Sequence, residues 1–441
     1  MYQFRGVEWA VSKIVLVAFL LLFGSSSLLA QVNASITGRV VDSSGAAVPQ
    51  ASVTVQSMET GEIRTVTSDD SGSYRVLQLP VGRYSVKGEK QGFKVRLQEG
   101  VNLVVGQEAV VDLALEIGQV EQQVTVTSEA PIVNTTTEAV SGLVDEQTVK
   151  DLPLNGRSFD NLIALNAGAY SLTGLKNSGA GEQQGNVFSV SGRRYSENLF
   201  LLNGVEYMGP SQVHSEPGGV SGQLLGIDAV REFNVLTDTY SAEYGKRAGG
   251  QIDIVTMSGT NQLHGTVFEF IRNSALDAKN YFDHPIVGRI PPFKRNQFGG
   301  ALGGPIQKDK TFVFGNYEGF RQRLAVSDVS FVPDANARLG ILPCGVISPL
   351  PAGCSGTTGT TPTAVPKLVT GMLPFLTNYW PAANGPELGG GVAENFSNPL
   401  QSIREDLGIA RVDHNFSEKD TVGVSYLIDD GYDQNPQANP L

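Results

Sequence analysis

Apart from its N-terminus, the sequence lacks any hydrophobic run long enough for a transmembrane helix, and it has no basic cluster. Lys+Arg 32 against Asp+Glu 44 gives a formal net charge of −12, so nucleic acid is not an expected partner. The 4 histidines show no paired metal-ligand spacing, and no HExxH, GxSxG, CxxC or phosphate-binding glycine motif is present. We therefore predict no metal site, no cofactor and no catalytic activity.

The N-terminus has the pattern of a secretory signal peptide. Arg5 and Lys13 precede an apolar run at 14–23, and small residues follow it up to Ala30. An apolar core of about 7–15 residues before a small residue is typical of such signals, whereas a membrane anchor needs about 20 apolar residues. We predict export, with residues 1–30 removed. Any membrane residence of the mature chain must then come from strands.

Cysteine is scarce, with Cys 2 in the whole chain. Cys344 and Cys354 fall in the same long polar stretch. In an exported protein an even pair in one loop favours a disulfide, and two free thiols are the alternative. No histidine lies near them, so a metal site is not expected.

Residues 31–117 form short alternating runs separated by Gly, Pro and Asp turns, which is typical of an all-β sandwich. The predicted strands lie at 36–42, 51–57, 62–68, 73–79, 83–90 and 110–117. Alternate residues of a strand share a face. The predicted inward set is therefore Val53, Val55, Tyr74, Val76, Tyr84 and Val86.

The order of residues in this segment resembles the carboxypeptidase regulatory-like, or transthyretin-like, sandwich of the carbohydrate-binding-like fold group. The matching residues are Gly38-Arg39-Val40-Val41-Asp42, Gly45, Pro49, Ala51, Val53, Val55, Thr67, Gly72, Tyr74, Leu79-Pro80, Gly82 and Tyr84. The resemblance implies a fold and not a ligand. No aromatic cluster favours sugar binding, and Tyr74, Tyr84 and Phe93 are predicted in the core or at its rim.

Residues 118–145 are a polar linker that contains one alternating stretch, 121–128. An exposed extended segment can add as a strand to the sheet edge of a partner. The stretch resembles the energy-coupling box of TonB-dependent receptors, with Val124, Thr125, Val126 and Thr127 as its centre. The alternative is an ordinary linker strand that packs on the next domain.

Residues 146–260 have mixed α/β character. Phe159, Leu162 and Ile163 share a helical face, with Asn155 as the predicted N-cap. Two strands joined by a tight turn are predicted at 186–194 and 198–207. A short helix running into a strand is predicted at 227–237, and a final strand at 249–260.

The motifs of this segment stand in the order of the plug domain of TonB-dependent receptors. They are Ser191-Gly192-Arg193-Arg194, Leu202-Asn203-Gly204-Val205, Ile227, Ala229-Val230, Glu232-Phe233, Val235, Tyr240, Ala242-Glu243-Tyr244-Gly245, Gly249-Gly250, Ile252 and Ile254-Val255-Thr256. Most plugs have Asp where Asn203 stands, and Asn also supports turns. Pro153-Leu154-Asn155-Gly156-Arg157 and the stretch 244–261 resemble the Oar-like subgroup, which also carries the N-terminal sandwich.

Residues 261–441 contain strand-like runs joined alternately by very short and very long connections, as in the antiparallel barrels of outer membranes. At 421–430 the apolar Val422, Val424, Tyr426 and Ile428 share one face, and the opposite face is polar except for Leu427. Phe312 and Phe314, or Tyr317, are predicted for an aromatic girdle. The fold class is thus a transthyretin-like sandwich, an α/β plug and the first strands of an incomplete barrel, and we expect the chain to be the front part of a larger protein.

The resemblance implies a TonB-dependent outer-membrane receptor of a Gram-negative bacterium, with the sandwich in the periplasm. Its implied partners are a TonB-type inner-membrane protein, outer-membrane lipid and an extracellular substrate. Siderophore, vitamin, carbohydrate and peptide all stay open as the substrate. Arg193, Arg194 and Glu232 are predicted to hold the plug in the barrel wall, and solvated turn charges are the alternative. Asn203 and Gly204 are predicted as structural residues of the plug. The long loops at 273–294 and 323–403 should meet the substrate first.

Two other functions compete with transport. A surface adhesin or signalling receptor would use the sandwich and the cysteine-pinned loop to bind polymers or another cell. A secreted sugar-active enzyme would turn over glycans with the sandwich alone. Deletion of 121–128 separates transport from adhesion, since transport needs the segment and adhesion does not.

Overall fold

The computed structural model describes the chain between residues 34 and 434, with gaps. The described residues are 34–118, 123–127, 139–172, 186–207, 217–240, 244–278, 290–325, 328–347, 362–364, 371, 373–418 and 420–434. The predicted signal peptide lies outside them. No helix among them has the length and apolar character that crossing a membrane requires.

The N-terminal part is a sandwich of two β-sheets. Its strands are β1 (Ala34–Asp42), β2 (Ser52–Ser57), β3 (Ile63–Thr67), β4 (Ser73–Leu79), β5 (Gly82–Glu89), β6 (Val95–Leu103), β7 (Glu108–Val110), β8 (Leu113–Leu115) and β9 (Gln123–Thr127). One sheet has the order β4-β1-β7, with β8 also paired to β1, and the other has the order β3-β2-β5-β6-β9. The sequence predicts no strand at β6, because the polar residues at its centre interrupt the alternation.

The two sheets bury a common apolar core. It contains the whole predicted inward set, namely Val53, Val55, Tyr74, Val76, Tyr84 and Val86. At one position the sheets leave no room for a side chain, since a Cβ on Gly38 would lie 1.9 Å from the carbonyl oxygen of Val111. The buried hydroxyl of Tyr74 donates to the same oxygen at 2.6 Å. Period-two patterning therefore identifies this core correctly.

The plug follows as a mixed sheet with short helices. Its elements are β10 (Val140–Val144), α1 (Glu146–Asp151), the 3-10 helices Asn155–Arg157 and Phe159–Leu165, β11 (Ala169–Ser171), β12 (Phe188–Val190), the 3-10 helix Tyr195–Glu197, β13 (Leu199–Leu202), β14 (Val205–Glu206), the 3-10 helix Ile227–Ala229, β15 (Val230–Asp238) and β16 (Gln251–Thr256). The sheet order is β10-β15-β16-β13-β14. The predicted helical face of Phe159, Leu162 and Ile163 is buried against this sheet.

Two local predictions for the plug are wrong. The 3-10 helix that buries Phe159 begins after Ser158, whereas Asn155 lies in a separate turn and is not its N-cap. The strands predicted at 186–194 and 198–207 do not pair with each other, because β12 pairs with β11 and β13 pairs with β14. The tight turn lies instead at Asn203 and Gly204, whose φ values of 50° and 82° suit a two-residue hairpin.

The last part is one antiparallel sheet of long strands. The elements from here to the C-terminus are β17 (His264–Asn273), the 3-10 helix Ser274–Leu276, β18 (Phe293–Gln307), β19 (Thr311–Ala325), β20 (Asp328–Pro333), α2 (Ala335–Arg338), β21 (Ile341–Pro343), the 3-10 helix Cys344–Val346, β22 (Pro362–Ala364), α3 (Leu373–Asn378), β23 (Glu387–Gly389), β24 (Val392–Ser397), β25 (Leu400–Asn415) and β26 (Thr421–Gln434). The wall has the order β17-β18-β19-β25-β26. Its turns are short on one side and its connections long on the other, as in outer-membrane barrels.

The connection between β19 and β25 has structure of its own. Strands β20, β24 and β23 form one small sheet in that order, and β21 pairs with β22 in another. The sequence predicts only a long loop here, because the apolar runs are too short to show a period.

The inner face of the wall packs on the plug. Phe312 and Phe314 are buried on β19, whereas Tyr317 is exposed on its other face. The plug residues Leu225 and Ala229 join Phe314 in one apolar cluster. The aromatic girdle predicted at Phe312 and Phe314 is therefore wrong, since both rings point into the bore.

A charged side chain on the outer face of β26 is expected to lower the stability of the protein in a bilayer, most strongly near the middle of the strand. Ile428 is 49% exposed near the middle of the strand. We expect Ile428→Arg to cost about 2–4 kcal/mol of stability in phospholipid vesicles, because the guanidinium would meet hydrocarbon. Ser425→Arg on the bore face is the control, and urea titration of the protein in vesicles is the measurement. Equal effects of the two changes would contradict the face assignment.

Candidate functional site

The predicted coupling segment lies on the edge of the sandwich. Strand β9 pairs with β6 in parallel, from Val95 opposite Gln123 to Glu99 opposite Thr127. It is the last strand of its sheet among the described strands. Thr125 is exposed at this edge. The segment is thus extended, as binding by strand addition requires, and its pairing with β6 holds it in this conformation.

The plug meets the barrel wall at two buried carboxylates. Glu318 on β19 and Glu405 on β25 are both 0% exposed and belong to the inner face. Glu318 Oε2 accepts a hydrogen bond from the backbone N–H of Gly226 at 2.8 Å. Glu405 Oε2 accepts one from the backbone N–H of Ser221 at 2.6 Å. Since a buried carboxylate without partners is costly, these bonds fix the plug segment 219–226 against the wall.

Glycine makes this close approach of the plug to the wall feasible. A Cβ on Gly219 would lie 2.0 Å from Oε1 of Glu405. Gly226 has a φ of 88°, a conformation that side chains disfavour. The stretches Pro217-Gly218-Gly219 and Leu224-Leu225-Gly226 of the plug therefore suit the two wall acids, a role that the sequence alone does not reveal.

Arg157 is the plug cation nearest to this contact. Its guanidinium pairs with Asp228 of the plug, and its Nε lies 3.7 Å from Oε1 of Glu318. The guanidinium carbon also lies 3.8 Å from the ring centroid of Phe268 on β17, a cation–π contact. Gly156 precedes Arg157 in the chain, and its carbonyl oxygen accepts a hydrogen bond from the side chain of Gln297 on β18 at 3.0 Å.

Three adjacent strands of the wall thus contact one plug motif, Pro153-Leu154-Asn155-Gly156-Arg157. Sequence analysis identifies this motif only as a mark of the subgroup. Its cation, between a glycine and a helical stretch, is the one signal that could have pointed to an anchoring role.

Asn203 fixes the hairpin turn to the end of β16. Its Nδ2 donates to the hydroxyl oxygen of Thr256 at 2.9 Å, and its Oδ1 accepts from the N–H of Thr256 at 3.0 Å. Arg411 of β25 donates to the carbonyl oxygen of the same threonine at 3.3 Å. The asparagine that departs from the usual plug motif therefore still binds the neighbouring strand.

Glu232 contacts the sandwich, and no hydrogen bond or ion pair joins it to the part of the barrel wall that the structure describes. Its Oε1 accepts a hydrogen bond from the backbone N–H of Val105 at 2.6 Å. The prediction that it holds the plug in the barrel wall is corrected accordingly. Arg193 and Arg194 are exposed, and neither forms an ion pair with another described residue. Their contact with a barrel wall stays a prediction.

An ion pair beside Glu232 completes the contact between sandwich and plug. Both terminal nitrogens of Arg231 donate to the carboxylate of Glu59, each at 2.8 Å. Burial works against ionisation of Glu59, but the hydrogen bonds and charge of Arg231 hold its pKa below the usual value. Burial raises the pKa of Glu232 to about 7, against the opposing effects of the Val105 hydrogen bond and the Arg231 charge.

The cysteine prediction is only half covered by the described residues. Cys344 is buried in the insert between β19 and β25, with its Sγ 3.1 Å from the hydroxyl oxygen of Thr363. Cys354 lies outside the described residues, so their pairing stays a prediction. Within the described ranges, no group of three or more His, Cys, Asp or Glu residues could hold a metal ion.

Three family models match the chain one after another. The carboxypeptidase regulatory-like domain matches 35–116, the TonB-dependent receptor plug domain 133–251 and the outer membrane beta barrel domain 255–441. The "TonB-dependent transporter Oar" of Myxococcus xanthus is 30% identical over 318 residues. That alignment covers 69% of this chain and 28% of the relative, so the chain spans only about that share of the relative's length.

Two solved structures are also similar to this chain. The outer membrane transporter YddB from Escherichia coli is 11% identical, with a TM-score of 0.37, over 63% of this chain and 31% of its own. The siderophore receptor PirA from Acinetobacter baumannii is 15% identical, with a TM-score of 0.30, over 66% of this chain and 45% of its own.

The sandwich, the plug and the strand wall in this order define an outer-membrane receptor with a plug packed on barrel strands. The chain belongs to the TonB-dependent receptors and is similar to their Oar-like members. Its location is the outer membrane of a Gram-negative bacterium.

The contacts of Arg157 predict that it anchors the plug. Arg157→Ala leaves the half-buried Asp228 and the buried Glu318 without their cation, so opening of the segment 219–226 should become easier by about 3–5 kcal/mol. Hydrogen exchange at the Gly226 N–H measures this opening. Arg75→Ala, which removes an exposed cation of the sandwich, is the matched control. An equal loss of protection in both variants would rule out the anchoring role.

Glu232 predicts a pH-dependent contact between sandwich and plug. Its pKa is raised from 4.5 to about 7, so its contribution to docking is complete below 4.5 and is lost as the pH rises through 7. Arg231 opposes this shift, whereas the nearby charges of Asp145 and Glu146 add to it. Glu232→Gln should remove the dependence, measured as the exchange protection factor of the Val105 N–H between pH 5 and pH 8. A wild-type protection factor that stays constant over this range would contradict the assignment.

Proposed function

We propose that this chain belongs to a transporter that takes up a substrate through the outer membrane, with the plug as the gate. The observation that carries the proposal is the contact of plug segment 219–226 with Glu318 and Glu405 on the inner face of the wall. A plug held in this position occupies the space in front of five barrel strands. Passage of a solute therefore requires the plug to move or rearrange.

The chemistry of this contact suits a gate that stays shut at rest. Moving segment 219–226 separates two buried carboxylates from their N–H donors, and water must replace those donors. The carboxylates become solvated as the bore fills, so the cost is largest at the start of the movement. Such a contact resists thermal opening and yields to an external force.

The force is proposed to enter at residues 123–127. A periplasmic domain of a TonB-type inner-membrane protein would bind this segment by strand addition, in which backbone hydrogen bonds supply affinity. Support comes from the extended backbone of β9, its edge position and the exposure of Thr125. The similarity to a protein named as a TonB-dependent transporter supports the same partner.

The substrate is proposed to meet the long connections 273–294 and 323–403 first. The described strand ends that these connections join lie on the side of the wall opposite the short turns that follow Gln307 and Asn415. A carbohydrate or a peptide fits a surface built from small sheets and turns, and the sequence favours neither. A role as adhesin or signalling receptor is the alternative, and it requires no binding at 123–127.

A proline in the coupling segment separates these functions. Val124→Pro removes a backbone donor and fixes φ in the strand, so we expect a loss of affinity of at least about tenfold, or about 1.4 kcal/mol. The measurement is binding of the purified periplasmic domain of the TonB-type protein from the same cells to the solubilised receptor. Val124→Thr is the control because it keeps the donor. Unchanged binding by the proline variant would reject this segment as the coupling site.

A further inference from the structure

Two polar contacts join the sandwich to plug strand β15. Arg231 and Glu232 are consecutive on this strand, and they bind Glu59 and Val105 of the sandwich. The side chains of Glu59 and Arg231 are 17% and 16% exposed, so the pair is largely shielded from solvent. A pair in such a site is strong when both partners are present and costly to break.

Apolar and backbone contacts surround the ion pair. Val81 and Val105 of the sandwich form a buried cluster with Val255 of the plug, and Leu143 packs against it. The carbonyl oxygen of Glu59 accepts a hydrogen bond from the N–H of Asn261 at 2.9 Å. The contact is therefore a composite interface with an apolar centre, unlike a lone surface salt bridge.

Strand β6, which pairs with the coupling segment, ends next to this interface. Strand β6 pairs with β9 along its length, and it ends at Leu103, two positions before Val105. The neighbouring strand β5 pairs with both β6 and β2, and β2 ends at Ser57, two positions before Glu59. A continuous hydrogen-bonded sheet thus connects residues 123–127 with both contacts on plug strand β15.

We propose that the sandwich is a mechanical adaptor, which transmits a pull on residues 123–127 to plug strand β15 through Glu59–Arg231 and Val105–Glu232. The inference rests on the proposed coupling role of that segment. In the alternative, force would travel only along the covalent chain from 128 to 139, and the sandwich would be a passive attachment. If the sandwich transmits the force, its contacts with β15 carry the load first. If it does not, the chain 128–139 is stretched first.

Force spectroscopy on the intact receptor in a supported bilayer distinguishes the routes. A Thr125→Cys handle allows the segment to be pulled without any partner protein. In the wild type background we expect no early extension, because the sandwich transmits the load to the plug. In Arg231→Glu the sandwich should lift off at low force and release an early extension. Its upper limit is about 40 Å, the fully stretched length of chain 128–139.

Charge exchange provides the matched controls. Glu59→Arg combined with Arg231→Glu restores opposite charges and should remove the early extension again. Arg75→Glu reverses an exposed cation of the sandwich, whose pair with Glu108 lies on the surface, and should leave the trace unchanged. Glu59→Gln is a milder variant, which tests the ion pair should Arg231→Glu fail to fold.

An early extension in the wild type background would overturn the adaptor, and so would identical traces with and without the ion pair. A second tip that carries the periplasmic TonB-type domain tests the proposed function separately. Capture by this tip with the same trace supports both proposals. Failure of capture while the cysteine handle still gives the predicted traces would reject the coupling role of 123–127, and with it the adaptor's part in transport.

Discussion

Two buried carboxylates determine how the plug sits in the wall. Glu318 and Glu405 point from neighbouring strands to the inner face of the wall, where a buried carboxyl group requires hydrogen-bond partners. The plug supplies backbone N–H groups and, at Arg157, a cation close to Glu318. Backbone donors demand close approach, which explains why glycine stands at 219 and 226. The position of the plug is therefore tied to one backbone hydrogen bond to each of the two wall acids.

The same kind of contact recurs between the plug and the sandwich. Glu232 is buried between plug and sandwich, and a backbone N–H again supplies its donor. The neighbouring ion pair of Arg231 with Glu59 adds charge complementarity. The plug is thus held from two sides, by the wall and by the sandwich, and the sandwich also carries the candidate coupling strand. Movement of the plug must break at least one of these contacts, which links the fold to the proposed gating.

Much of this architecture could be predicted from the sequence. Alternation identifies the sandwich core, and ordered motifs identify the plug and its family. The partners of Arg157 and Glu232 could not be predicted, because Glu232 and Val105 are 127 positions apart and no local pattern pairs them. The sequence also does not predict which face of the wall carries Phe312, because an aromatic ring in a barrel strand can face lipid or pack against a plug. Contacts between residues far apart in the chain decide the partner of a buried charge and the face of an aromatic ring. Such contacts cannot be derived from a single sequence.

The central claim is that the wall acids bind the plug backbone. Hydrogen exchange of the Ser221 and Gly226 amides, measured on the receptor in isolated outer membranes, tests it most directly. Both amides should be strongly protected, and Glu405→Ala should release Ser221 while Glu318→Ala should release Gly226. Exchange of both amides at the rate of an open loop in the wild type would contradict the account.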